Sequence, residues 1–86
     1  MQVKIPSPLF SYSKNLNVVE GQGNTILEVL NNLDNQFPGI KFRMIDEQNK
    51  IRPHMKVFLN TDEIKDLSTS VKDSDKIMIV AALSGG

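Results

Sequence analysis

The spacing of apolar residues predicts one amphipathic helix near the middle of the chain. Apolar side chains recur there every three or four residues, at Ile26, Val29, Leu30, Leu33 and Phe37. This spacing places them on one face of a helix. Thr25 followed by Glu28 has the spacing of a capping box at the helix start, and Pro38 with Gly39 marks its end.

Alternation of apolar and polar residues predicts strands on both sides of this helix. Before it, "MQVKI" places Val3 and Ile5 on one face, and "LNVVE" (16–20) is rich in β-branched residues. After it, "MKVFLN" alternates in the same way, and a short edge strand is expected around Ile64. The run "KIMIVAAL" is the most continuously apolar, which is typical of a central strand.

The order of these elements predicts a β-grasp, or ubiquitin-like, fold. A right-handed connection through the helix would make the first and last strands parallel neighbours in the middle of the sheet. The helix would bury its apolar stripe against that sheet. We therefore expect an α+β domain over 1–80, with a mixed sheet of four or five strands packed on one main helix. A flexible C-terminal tail over 81–86 would follow it.

Composition excludes several classes of function. The chain has 86 residues, and its 10 basic side chains balance 10 acidic ones. This neutrality argues against nucleic acid or an anionic membrane as a partner. The absence of cysteine rules out a thiolate metal site or nucleophile, and a single histidine offers no metal cluster. With no membrane-length apolar run and no catalytic constellation, we expect a cytoplasmic domain without bound metal.

The sequence ends in "ALSGG", and three longer segments resemble the ubiquitin-like sulfur carriers of the ThiS/MoaD family. They are "GNTILEVLNNLDNQFPGI", "VFLNTDEI" and "VKDSDKIMIVAALSGG". The chain is most similar to the sulfur carrier of thiocarboxylate-dependent cysteine biosynthesis. The small subunit of molybdopterin synthase is the next best match. Two positions depart from the family pattern: Ser74 stands where glycine is usual, and Ala81 where proline is common.

The resemblance implies a role for the tail. A ubiquitin-activating-like adenylyltransferase would adenylate the carboxylate of Gly86 with ATP and Mg²⁺, and a sulfur donor would then leave a thiocarboxylate. The sulfur would pass to a pyridoxal-phosphate cysteine synthase or, in the alternative branch, to the molybdopterin synthase large subunit. Gly85, Ser84 and Leu83 would thread with Gly86 into these enzymes, since glycine has no Cβ to obstruct a narrow channel. The chain itself would be a cosubstrate without a bound cofactor.

Strand alternation also predicts a partner-docking patch beside the tail. If Val57 and Ile79 face the helix, the side chains on the other side of the sheet face solvent, namely Phe58, Met78 and Val80. The alternative is a central strand that is buried on both faces.

Two other interpretations stay open at the level of sequence. The chain could be a protein modifier, with Gly86 joined to lysines of target proteins, or a β-grasp interaction module whose Gly-Gly is incidental. The basic run Lys50, Arg52, His54 and Lys56 is typical of one charged, solvated strand face, with contact to an acidic rim of the activating enzyme as the alternative.

Overall fold

The computed structural model describes residues 1–81, and these form one mixed sheet with two α-helices. A 3-10 turn, Ser7–Leu9, follows the first strand. The remaining elements in chain order are β1 (Gln2–Lys4), β2 (Val18–Glu20), α1 (Ile26–Gln36), α2 (Ile40–Met44), β3 (Met55–Leu59), β4 (Asp62–Ile64) and β5 (Lys76–Ala81).

The sheet has the strand order β2-β1-β5-β3-β4. Strand β5 runs parallel to β1, with Ile77 opposite Val3, and antiparallel to β3, with Ile79 opposite Val57. The first and last strands are therefore parallel neighbours in the centre of the sheet. The β-grasp architecture predicted from the order of elements is confirmed.

The amphipathic helix begins at the predicted cap. The Oγ1 atom of Thr25 accepts a hydrogen bond from the backbone N–H of Glu28 at 3.2 Å. The Glu28 carboxylate in turn accepts from the backbone N–H of Asn24 at 3.0 Å, one residue before the N-cap. These two bonds satisfy backbone donors that the first helical turn would otherwise leave without partners.

The core lies between α1 and the sheet. All five apolar residues of the predicted stripe are buried, and they join Val3, Val57, Ile77 and Ile79 in a single cluster. Gly21 permits this close packing, because a Cβ at this position would lie 2.9 Å from both Val3 Cγ2 and Val29 Cγ1. Neither α-helix within residues 1–81 is long and apolar enough to cross a membrane.

Helix α2 was not predicted. It follows Gly39, whose φ of 95° lies in the left-handed region that favours glycine. The Asp34 carboxylate accepts hydrogen bonds from the backbone N–H groups of Gly39 and Lys41, both at 3.1 Å, which ties the end of α1 to the start of α2. A helix of five residues is too short to show the periodicity that revealed α1.

Two local expectations about the chain are corrected. Strand β2 begins only at Val18, so Leu16 lies outside it and is exposed. The basic run does not form one strand face, because β3 begins at Met55 and only Lys56 of the four basic residues lies in it.

Serine is compatible with the turn before β5. The residues of the described chain that adopt positive φ, other than glycines, are Lys14, Asn15, Asn49 and Asn60. Ser74 is not among them, so this turn does not need the glycine that is usual at this position in the ThiS/MoaD family. Among these four, Asn60 lies in the turn between β3 and β4.

Truncation of Leu30 to alanine is expected to lower the free energy of unfolding by about 2–5 kcal/mol, because the side chain is fully buried between α1 and the sheet. Urea denaturation monitored by circular dichroism measures the change. The matched control is Asn31→Ala at the next, exposed helix position, which is expected to change stability by less than about 0.5 kcal/mol. Equal effects of the two substitutions would contradict the packing described here.

Candidate functional site

The outer face of the sheet, opposite α1, carries a continuous row of side chains from all five strands. Each member lies directly opposite the next across the strand order: Val18, Lys4, Met78, Phe58 and Glu63. We call this set the outer row. Val80 lies on the same face, opposite Lys56 and two residues further along β5. Apolar side chains thus occupy the centre of this face, and charged ones separate or flank them.

The structure places the predicted docking residues on this outer face. Met78 is 37% exposed, and Phe58 and Val80 are half-buried. Their neighbours Val57, Ile77 and Ile79 point into the core, as strand alternation predicted. Burial of both faces of the central strand is therefore excluded for Met78, while the docking role of the three residues stays a prediction.

One apolar member of the outer row was missed by sequence reasoning. Val18 is 45% exposed and is joined to Met78 through Lys4, which lies opposite both. Alternation within β2 would have placed Val18 on the face of the sheet opposite to that of the buried Val19. Its position in the same row as Met78 depends on the pairing of β1 with both β2 and β5, which no local pattern in the sequence specifies.

A shallow pocket of about 240 Å³ lies beside Met78 on this face. Its walls include Val18 and Met78, with Lys4 and Lys76 among the polar residues that line it. An exposed apolar surface with a charged margin is typical of a protein-binding site. The lysines would favour a partner that places carboxylates around an apolar contact.

Hydrogen bonds fix β5 at its first residue. The Asp75 carboxylate accepts from the backbone N–H of Lys72 at 2.8 Å and from the side-chain amide of Asn60 at 3.1 Å. The side-chain oxygen Oδ1 of Asn60 accepts from the backbone N–H of Lys76 at 3.0 Å. The hydrogen bond from Lys72, and then that from Asn60, lower the pKa of the Asp75 carboxyl below its ordinary value. This network joins the β3–β4 turn to the start of the strand that carries Met78 and Val80.

At its other end, β5 reaches Ala81, which lies opposite Met55 of β3. The strand therefore extends one residue beyond the boundary predicted after residue 80. The residues predicted to carry or thread the sulfur are Leu83, Ser84, Gly85 and Gly86, and they lie outside the described residues. Within residues 1–81, no three side chains of histidine, aspartate or glutamate come together as a metal site.

Comparison of the sequence with models of known protein families identifies the family of this chain. The sequence model of the ThiS family matches residues 3–86. The chain belongs to the ThiS family. Across 89 aligned residues it is 26% identical to the sulfur carrier protein CysO of Mycobacterium tuberculosis, and the alignment covers 98% of this chain and 96% of that protein.

Solved structures resemble this ThiS-family chain over almost its whole length. A chain in the crystal structure of the Amycolatopsis orientalis BexX/CysO complex is 31% identical with a TM-score of 0.91, and the match covers 99% of this chain and 98% of that one. The crystal structure of Mycobacterium tuberculosis CysO gives a TM-score of 0.89 at 24% identity, with coverage of 95% and 98%. The second match supports the fold alone.

The Asp75 network predicts a pH-dependent contribution to stability. Asp75→Asn is expected to lower the free energy of unfolding at pH 7, because the amide accepts the same hydrogen bonds more weakly than the carboxylate. Since the folded pKa lies below the ordinary value of 3.8, the carboxylate's stabilisation is complete above that pH. It is lost as the pH falls through the folded pKa.

Urea denaturation of both proteins between pH 7 and pH 2 measures the difference. Asp73→Asn is the control, since the Asp73 side chain makes no hydrogen bond within the described part of the chain. A stability difference for Asp75→Asn that stayed constant down to pH 2 would contradict this role.

Proposed function

We propose that this ThiS-family chain is a sulfur carrier that supplies sulfur for cysteine biosynthesis. The observation that carries the proposal is the combination of the family match over residues 3–86 with 31% identity to a chain of the BexX/CysO complex. Identity to the sulfur carrier protein CysO over 98% of the chain supports the same role. In this role the chain is a substrate of partner enzymes and not an enzyme itself.

The proposed chemistry takes place at Gly86. The Gly86 carboxylate attacks the α-phosphorus of ATP in an activating enzyme, which forms an acyl-adenylate and releases pyrophosphate. A nucleophilic sulfur donor then attacks the acyl carbon and AMP leaves with its electron pair. With hydrosulfide as the donor, the carbon–sulfur bond forms as the bond to AMP breaks, and loss of the sulfur-bound proton to solvent leaves a protein thiocarboxylate. ATP and Mg²⁺ belong to the activating enzyme in this scheme, and a pyridoxal-phosphate cysteine synthase accepts the sulfur.

The fold supports this role by giving the tail a rigid base. Ala81 is the last described residue of β5 and is paired with Met55 of β3, while β1 pairs with β5 over residues 76–78. Gly86 lies five positions after Ala81 in the sequence, and a chain of that length spans at most roughly 18 Å. A partner that brings Gly86 to its reactive centre must therefore lie close against the domain.

The outer row is the surface that we propose for this contact. Met78 lies in β5 itself, three residues before Ala81, with Phe58 directly opposite it. Val18 extends the surface beyond Lys4 on the other side. Contact residues near the centre of an interface usually carry most of the binding free energy. Recognition of the domain and placement of the tail would then depend on the same strand.

The mass of the intact protein tests the carrier function. After incubation with the activating enzyme of the same organism, ATP, Mg²⁺ and a sulfur donor, we expect a gain of about 16 Da, the difference between sulfur and oxygen. A variant that lacks Gly86 is the control and is expected to gain nothing. Addition of the cysteine synthase and its amino-acid substrate should then consume the thiocarboxylate, because its sulfur forms a bond to carbon of the substrate. The gain of about 16 Da is replaced by the mass of a carrier–cysteine adduct, and hydrolysis of the acyl bond returns the original mass. No gain on the wild-type chain, with an enzyme that loads another carrier, would contradict the proposal.

Substitution in the outer row tests the docking surface. Met78→Asp is expected to raise the KM of the activating enzyme for the carrier at least about tenfold, because it places a carboxylate in the apolar centre of the contact. Steady-state kinetics at varied carrier concentration measure the change. Asn35→Asp, on the exposed side of α1, is the control for added charge. If Met78→Asp destabilises β5, Met78→Ala gives the same test, and an unchanged KM for it would argue against this surface.

A further inference from the structure

A second pocket lies at the end of β5, where the described chain leads into the tail. It has a volume of about 420 Å³, and Ala81 forms part of its wall. Aromatic and basic side chains dominate the rest of the lining, with Tyr12, Phe42, Arg43, Arg52 and His54 among them. Tyrosine and arginine are among the residue types most enriched at the energetic centres of protein interfaces.

Both arginines are held in place by their Nε atoms. The Nε of Arg43 donates to the Tyr12 hydroxyl at 2.8 Å, and its guanidinium carbon lies 5.6 Å from the Tyr12 ring centre. The Nε of Arg52 donates to the backbone carbonyl of Phe42 at 2.7 Å, with its guanidinium 4.5 Å from the Phe42 ring centre. These contacts limit the side-chain entropy that would be lost on binding.

Within residues 1–81 the positive charges of the two arginines are not paired. No carboxylate of the described chain lies within salt-bridge distance of Arg43 or Arg52, although acidic and basic residues are equal in number. The backbone hydrogen bond from Lys50, and to a smaller extent the nearby charge of Arg52, lower the pKa of the Asp46 carboxyl below its ordinary value. The Asp46 oxygen accepts hydrogen bonds from the backbone N–H groups of Lys50 and Gln48, and it forms no salt bridge with the arginine. None of the residues that line the pocket is acidic. The terminal Nη groups therefore have no partner among the described residues.

An exposed phenyl ring adds an apolar contact to this basic site. Phe42 is 56% exposed, more than any other large apolar residue in the described chain. Its neighbours in α2, Ile40 and Met44, are fully buried in the core. They hold α2 against the domain, with Phe42 on the exposed side of the helix. The arrangement combines a fixed aromatic ring with two guanidinium groups at one edge of the domain.

We propose that this pocket binds an acidic segment of the activating enzyme that takes the carrier's tail. In this complex an aspartate or glutamate of the enzyme accepts a bidentate hydrogen bond from the Nη groups of Arg43 or Arg52, and an adjacent apolar side chain packs on Phe42. The inference rests on the proposed carrier function for the identity of the partner. The pocket would be a second contact between the carrier and the activating enzyme, beside Ala81 and separate from the outer row.

The position of the pocket favours this occupant. Ala81 lies in the pocket wall, and the five residues that follow it in the sequence span at most roughly 18 Å, so an enzyme that receives them comes within that distance of the pocket. A carboxylate is the group in proteins that complements a guanidinium in charge and in planar geometry. Nucleic acid is disfavoured, because the chain as a whole has a formal net charge of zero.

Charge reversal in the pocket tests the proposal. The variants Arg43→Glu and Arg52→Glu are compared with Lys72→Glu, which makes the same charge change in the turn before β5. Two quantities are measured with the activating enzyme: its equilibrium affinity for the carrier by calorimetry without ATP, and the steady-state kinetics of thiocarboxylate formation. Circular dichroism establishes that each variant is folded. Arg43→Gln and Arg52→Lys replace any variant that is not.

We expect each charge reversal in the pocket to raise Kd and KM at least about tenfold while kcat stays within about twofold. Lys72→Glu should change each quantity by less than about twofold. Arg52→Lys should show an intermediate loss, because lysine keeps the charge but cannot form the bidentate pair. Pocket variants that behave like Lys72→Glu would overturn the proposal.

The two measurements separate this inference from the carrier function. If the wild-type chain is loaded with sulfur and the pocket variants bind normally, the pocket proposal fails and the carrier function stands. If the wild-type chain binds the enzyme, the variants bind weakly, and no thiocarboxylate forms, the pocket proposal stands and the carrier function fails. A wild-type chain that neither binds nor is loaded overturns both.

Discussion

Strand β5 is hydrogen-bonded to β1 on one side and to β3 on the other, and the rest of the structure depends on this double pairing. Its residues Ile77 and Ile79 enter the core beneath α1, while Met78 and Val80 lie on the opposite face. Pairing with β1 covers residues 76–78 of β5, and pairing with β3 covers residues 77–81. The part that is paired on both edges is expected to be among the last parts of the sheet to open. The same element thus supports the core, presents the outer row and leads into the tail.

The two ends of β5 are organised by different interactions. At the start, a network of neutral amides and one carboxylate, Asp75 with Asn60, sets where the strand begins. At the finish, Ala81 shares a pocket with two arginines that lie over aromatic rings, and neither arginine forms a salt bridge with a carboxylate of the described chain. A neutral overall composition therefore conceals an unequal local distribution of charge. The unmatched positive charge lies at the end from which the chain continues toward Gly86.

The features that could be predicted from sequence are those with a periodic signal. The stripe from Ile26 to Phe37 and the alternation around Ile77 and Ile79 gave the helix, the central strand and their buried faces. Helix α2 has only five residues, so its pattern could not be distinguished from a loop. The pocket that contains Arg43 and Arg52 is lined by residues of α2, of the 3-10 turn and of the segment before β3. Only the tertiary fold brings these three parts of the chain together. Spacing along the chain contains no information about such a contact.

Pairing of β1 with β5 brings Val3 opposite Ile77, so the centre of the sheet joins segments from near both ends of the described chain. Closing so long a loop costs conformational entropy, and folds with many contacts of this kind form slowly. The central strand can therefore join the sheet only after residues 1–81 have been synthesised. That strand also leads directly into the tail. Partner enzymes that recognise the folded domain would therefore act on the carboxyl end only after folding is complete. An incompletely folded molecule would lack both the outer row and the pocket through which we propose that enzymes recognise it.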